Sequence, residues 1–229
     1  SFFILALPGL LLILEWKGLY DHKNFDGYFS SFMNPKHIIK NIPIILSFFG
    51  FYLLPILIIE LIRDGYKSIF SKYSKTFSFF FVLLFIFHFT GILNYLGSYT
   101  IGGGAILKLN YLIKPNNYFL LIIFSSLGFS IIINLLKDDL KNNVVFILPI
   151  FAVYGFPNLL YQEYFEPLIL IIFFLAFKTN LHKVYFHKPG LSCSIFLAYF
   201  ATYLLGSIYF KHFAFNSLEN WKNYLLQIQ

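Results

Sequence analysis

The sequence predicts an all-α fold, a polytopic transmembrane helical bundle of about seven spans. Three observations carry this. Seven long apolar runs are separated by short polar segments. Of the 229 residues, 59% are apolar and only 12% charged. The charged residues collect between the runs. About 20 apolar residues cross the hydrocarbon core as a helix. The bilayer interior offers backbone groups no water, so each crossing closes its own hydrogen bonds. A soluble domain of this size needs more charge to cover its surface.

The whole chain, 1–229, reads as a single transmembrane domain. The first run covers about 1–14. The second covers 42–61, with Pro43 near its start and a kink expected at Pro55. The third covers 77–96, the fourth 118–136, and the fifth 144–160 with Pro149 and Pro157. The sixth, 165–177, is short and opens on Glu166-Pro167, and the seventh covers 191–210. No internal repeat is visible, which disfavours inverted-repeat transporter folds. The chain opens at Ser1, already apolar at Phe2, with no signal-peptide n-region. It is therefore read as a fragment whose N-terminal part lies upstream.

The 32 Phe and 17 Tyr reflect in part AT-rich codons, so the number of Lys or Asn residues carries little argument. The formal charge of +7 does not indicate nucleic acid. The basic residues sit in short loops, where lipid headgroups and the positive-inside rule account for them. The lone Cys193 lies in an apolar run and reads as packing, without disulfide or cysteine cluster.

Loop charge sets the expected sidedness. The second, fourth and sixth loops hold nine Lys and Arg against four Asp and Glu. The other loops and the tail hold eight against six. The even loops are expected in the cytoplasm, and loops one, three and five on the outer face.

Loop five, Tyr161-Gln162-Glu163-Tyr164-Phe165-Glu166-Pro167, is the sharpest polar signal. With Glu166 capping the sixth helix, Pro167 takes its first position, and both carboxylates lie near a positive helix end. One reading is a polar site for a sugar or cation, with Gln162 and Tyr164 adding hydrogen bonds. The other is an ordinary acidic helix start with interfacial tyrosines. Loop three holds Gly102-Gly103-Gly104, then Lys108. Glycines such as Gly103 and Gly104 let backbone approach a ligand closely and turn N–H groups to an anion, with Lys108 neutralising a phosphate. A flexible turn before an interfacial helix is the plainer reading. No Gly-Lys-Ser/Thr follows, so this is not a P-loop.

Loop one brings Glu15, Asp21, His22 and Asp26, readable as a general base or cation site, or as a solvated loop, which is favoured. In the third run His88 is either a proton relay or bonded to a neighbouring helix, and Asn94 follows it. His182 and His187 flank Lys183 and read as a basic cytoplasmic surface, without a metal pair. Trp221 reads as an interfacial anchor.

The Glu15-Trp16-Lys17-Gly18 exit, the Gly102-Gly103-Gly104 segment and the loop-five turn, in that order, resemble the C-terminal half of a GT-C superfamily membrane glycosyltransferase. The likeness runs from about Leu5 to Phe177. It is nearest to bacterial relatives of the dolichyl-phosphate-glucose glucosyltransferases. It implies a polyprenyl-phosphate-linked sugar donor, transfer on the non-cytoplasmic face, membrane lipid as surroundings, and often a divalent cation. It also implies direct displacement at the anomeric carbon with an acidic base. In that superfamily the key acid lies in the first outer loop, a portion expected upstream of Ser1. The catalytic residue is therefore unassigned, and Glu163, Glu166, Gln162, Tyr164, Lys108, Gly103 and Gly104 are substrate-binding candidates. The expected location is a bacterial inner membrane or an endomembrane. A transporter or flippase, and a non-catalytic subunit of a membrane complex, are the alternatives.

Overall fold

The computed structural model describes residues 36–90, 105–106, 109, 118–155 and 165–212. Among these residues the chain is all-α. The helices are α1 (Lys36–Tyr52), α2 (Leu54–Phe89), α3 (Phe119–Asp138), α4 (Leu140–Tyr154), α5 (Glu166–Leu175), α6 (Leu181–His187) and α7 (Pro189–His212). Three are long and apolar enough to cross a membrane: α2, α3 and α7 over Pro189–Tyr209. The first run, 1–14, lies outside the described residues.

The second apolar run is broken. Helix α1 ends at Tyr52, and Leu53 departs from helical geometry before α2 resumes with Pro55 in its first turn. Proline has no amide hydrogen and its ring crowds the preceding turn, so a break here is expected.

Helix α2 is 36 residues long but is not one rod. Gly65 sits at φ 77° and ψ 162°, a region that favours glycine. Glu60 bonds Lys72 Nζ at 2.6 Å and Tyr73 Oη at 2.8 Å. In a straight helix residues this far apart rise by about 18 Å. The chain must therefore fold back at Gly65, giving a short limb over 54–64 and a long limb over 66–89. The long limb runs antiparallel to α3. Near one end Thr76 Oγ1 donates to Ser130 Oγ, then Phe80 stacks on Phe129 at 4.4 Å, and at the far end His88 meets Tyr118 at 6.0 Å.

Helices α1 and α3 form the tightest crossing. A Cβ on Gly50 would strike the Phe124 carbonyl, and one on Gly128 the Leu46 carbonyl. Ser125 Oγ donates to Pro43 O at 2.6 Å across the same contact. Small residues let apolar helices approach backbone to backbone, where dispersion and weak polar contacts hold them. Ile44, Ile45, Phe48, Phe49, Leu121, Ile131 and Leu135 fill the buried core around this crossing. Helix α7 packs through Tyr199, Phe200 and Tyr203 against Phe51 and Tyr52. Its Phe196 packs on Phe174 and Tyr185, and its opposite side, including Leu197, Leu204 and Leu205, is exposed.

Candidate functional site

The helices have two polar ends. At one, the turn at Gly65, the α3–α4 turn and the α5–α6 turn come together. Asn143 is fully buried and uses both ends of its amide. Its Nδ2 donates to the carbonyls of Leu135 (2.6 Å) and Lys178 (2.9 Å), and its Oδ1 accepts from Lys178 N at 2.8 Å. The Asp138 carboxylate accepts from Thr179 Oγ1 at 2.6 Å, Asn180 N at 2.8 Å and Asn180 Nδ2 at 3.0 Å. Asp139 caps α4, accepting from Asn142 N, and Asn142 Nδ2 also reaches it. These hydrogen bonds hold the Asp139 carboxyl below its ordinary value, the Asn142 side chain contributing most. Glu60, 3% exposed, is saturated by Lys72 and Tyr73. Arg63 closes on Asp64 at 2.5 Å.

Among the described residues, each carboxylate at this end is thus hydrogen-bonded within the chain, and the cluster fixes the turns. Loop composition alone marked these acids only as charges. Their partners are mostly side-chain donors, Lys72, Tyr73, Arg63, Thr179, Asn180 and Asn142, joined by the amides of Asn142 and Asn180, and several of these pairings form only once the turns meet.

At the other end, Asn41 of α1 donates to the carbonyls of Tyr154 (3.3 Å) and Gly155 (3.0 Å), where α4 finishes. Phe165, fully buried, packs on Tyr154 at 4.5 Å and on Phe48 at 4.9 Å. The start of α1, the end of α4 and the start of α5 therefore meet. Because α3 runs from Tyr118 to the Asp138 cluster and α4 runs back, Tyr118 and the His88 end of α2 belong to this end too. The flanks of loops one, three and five share one end of the bundle, and loops two, four and six share the other.

Gln162, Glu163, Tyr164, Gly103, Gly104 and Lys108 lie outside the described residues, as do Glu15, Asp21, His22, Asp26, Asn94 and Trp221. Helix α5 begins at Glu166 with Phe165 at the cap position, one residue earlier than expected, so Pro167 takes the second helical position. Burial of the Phe165 ring sets that start, and Ile169 N donates to Phe165 O at 3.0 Å. Ala105, Ile106 and Leu109 are helical, and Ile106 is buried.

His88 Nδ1 is buried and has no hydrogen-bond partner among the described residues. His182 is not part of an open basic surface. Its Nε2 lies 2.6 Å from Phe173 O, and its ring packs on Phe173 and Phe174. His187 is exposed. No group of three or more His, Cys, Asp or Glu among the described residues is placed to hold a metal ion.

No family model, curated protein or solved structure matches the chain. Its own residues carry the functional reading. The odd-loop end is assembled by Asn41, Tyr154, Phe165 and Tyr118, and any chemistry there draws on the side chains those flanks present.

Proposed function

We propose that the chain is an integral membrane protein of about seven spans, similar to GT-C glycosyltransferases, which transfers a sugar from a polyprenyl-phosphate-linked donor on the non-cytoplasmic face. The observation that supports this best is the pair of Asn41 hydrogen bonds, which ties the flank of loop one to the flank of loop five. A transferase acting at a membrane surface needs several short loops converging on one leaflet, with polar side chains over an apolar bundle.

In this reading Gln162, Glu163, Tyr164 and Glu166 bind sugar hydroxyls, and Gly103, Gly104 and Lys108 receive the donor phosphate. An acceptor hydroxyl oxygen forms the bond to the anomeric carbon as the bond from that carbon to the phosphate oxygen breaks. The hydroxyl proton passes to a carboxylate base, which is unassigned, and the polyprenyl phosphate leaves with the electron pair. Preorganised donors around the leaving phosphate carry most of the stabilisation.

The test measures sugar transfer from a radiolabelled polyprenyl-phosphate sugar in membranes containing Glu163→Gln or Glu166→Gln. Loss of transfer at unchanged protein level supports the reading. Full transfer by both variants removes loop five from the site. A second reading, a transporter, draws on His88, whose Nδ1 within α2 has no hydrogen-bond partner among the described residues. It requires that His88→Ala abolish proton- or cation-driven uptake into vesicles, which the transferase reading does not.

A further inference from the structure

The three turns at the Asp138 end form a surface of unbalanced positive charge. Nine Lys and Arg stand here against four Asp and Glu. Glu60 and Asp64 are paired with Lys72 and Arg63, while Asp138 is held by Thr179 and Asn180 and Asp139 caps α4, so neither of these two forms an ion pair with a lysine among the described residues. Lys67, Lys75, Lys141, Lys178, Lys183 and Lys188 are all exposed, and none forms an ion pair among the described residues. The Asn143 staple fixes the backbone beneath Lys141 and Lys178, so their charges are held together rather than scattered on a loose loop.

What this surface binds follows from its apolar neighbours. Tyr66 and Phe70 flank Lys67 and are 69% and 72% exposed. Phe186 lies between Lys183 and Lys188, and Leu140 beside Lys141, and both are largely exposed. Bare aromatic rings among lysines gain nothing from facing free solvent. At the headgroup level of a bilayer the combination is expected: rings sit at the hydrocarbon boundary, and lysines reach the phosphates above. The candidate spans end here too. Helix α2 turns at Gly65, α3 stops at Asp138 and α7 begins at Pro189.

We propose that this face is a docking surface for anionic phospholipid headgroups of the leaflet in which it lies. The inference is independent of the transfer reaction proposed above. It requires only that the helices sit in a bilayer.

The experiment uses the purified full chain in neutral detergent micelles doped with phosphatidylglycerol or phosphatidylcholine. Retained lipid is counted by native mass spectrometry. The unaltered chain should retain phosphatidylglycerol at least about tenfold more strongly than phosphatidylcholine, with the preference falling as salt rises. A basic side chain near an anionic surface contributes on the order of fivefold in affinity. Lys141→Gln, Lys178→Gln and Lys183→Gln together should lower phosphatidylglycerol retention about a hundredfold. The unfolding midpoint in phosphatidylcholine micelles should not move, because these side chains are exposed and unpaired. If the triple variant unfolds, the salt dependence and lipid preference of the unaltered chain still decide. Equal retention of both lipids overturns the proposal. So does displacement of phosphatidylglycerol by millimolar inorganic phosphate, which marks a small-anion site. Tighter binding of polyglutamate than of the lipid marks a surface for an acidic protein, with the same consequence.

Discussion

Tyr199 on α7 donates its hydroxyl to the carbonyl of Phe51 on α1 at 3.0 Å. In an unbroken helix that carbonyl would accept from the amide of residue 55, and residue 55 is proline. The tyrosine therefore supplies the donor that Pro55 lacks, and joins α7 to the break between α1 and α2. An unsatisfied buried carbonyl costs free energy, more so where water is excluded. Tyr199→Phe keeps the ring contacts with Phe51 but removes the donor. It should destabilise the folded state by about 0.5–1.5 kcal/mol, read as a lower unfolding midpoint in detergent. An unchanged midpoint would mean that another group serves the Phe51 carbonyl.

The α1–α3 crossing predicts that two glycines respond alike and a third does not. Gly50→Ala and Gly128→Ala would each place a methyl against backbone carbonyl, at Phe124 and Leu46 respectively. Backbone cannot swing aside as a side chain can, so each should cost roughly 1–3 kcal/mol or more. Gly206 on α7 has open space around it. There Gly206→Ala should be neutral or stabilising by about 0.5–1 kcal/mol, the ordinary helix preference of alanine. Equal effects at all three sites would sink the close-crossing account.

These two relationships show what the sequence made legible. The apolar runs located most of the helices, because burial in lipid or protein demands an apolar surface whatever the packing detail. Pro55 announced a break, since its missing amide is a local property. The reversal between the second and third runs was expected in loop two, but its confinement to Gly65, with helix on both sides, was hidden. The segment around it reads as a polar loop, yet Arg63, Lys67, Lys72 and Lys75 are good helix formers, and polarity says nothing against helicity. The turn shows in the backbone of Gly65, at φ 77°, and in the Glu60 contacts across it. Asn41 and Asn143 were equally silent, because the carbonyls that they bind occur at every residue. Gln162 and Glu163 were singled out for standing polar beside apolar runs, a signal of chemistry that does not by itself fix geometry.

The Gly65 turn separates backbone strain from crowding. A Cβ at Gly65 meets nothing within 4 Å, so any cost of Gly65→Ala comes from φ 77° alone. That cost should be about 1–3 kcal/mol. Across the turn, Glu60 and Lys72 should both matter. Removing Glu60 strands the hydroxyl of the buried Tyr73, so Glu60→Ala should cost about 1–3 kcal/mol. Lys72 reaches solvent, but its loss leaves the buried Glu60 carboxylate without its cation, so Lys72→Ala should cost about 1–3 kcal/mol as well. A negligible loss from either variant, measured by thermal unfolding, would count against this assignment.

Asp139 makes a pH prediction. Its folded carboxyl is held low, mainly by the Asn142 side chain, so the unfolded chain binds its proton first as pH falls. The cap therefore contributes above the unfolded value of about 4 and is lost as pH drops through the lower folded value. Asp139→Ala should lower the unfolding midpoint at pH 7, and the gap to the unaltered chain should close toward pH 3. A gap that stays constant with pH would show that the charge of the cap does not matter.

Sidedness is the last prediction, and it connects the lysine face to the loop ends. Cys193 is exposed, so a Cys193→Ser background comes first. Ser71 and Lys183 are exposed residues at the Asp138 end, and substitution at neither breaks a hydrogen bond among the described residues. Asn180 is avoided because it bonds Asp138. In intact cells Ser71→Cys and Lys183→Cys should resist an impermeant maleimide, while Gln162→Cys should react. The reasoning is that an uncompensated lysine face is retained on the cytoplasmic side during insertion. Reaction at Ser71→Cys and Lys183→Cys with protection of Gln162→Cys would invert the orientation. It would also put the proposed transfer site on the wrong side of the membrane for a donor presented outside. Reaction at all three positions would separate the two ends from any common bilayer and remove the basis for a seven-span bundle.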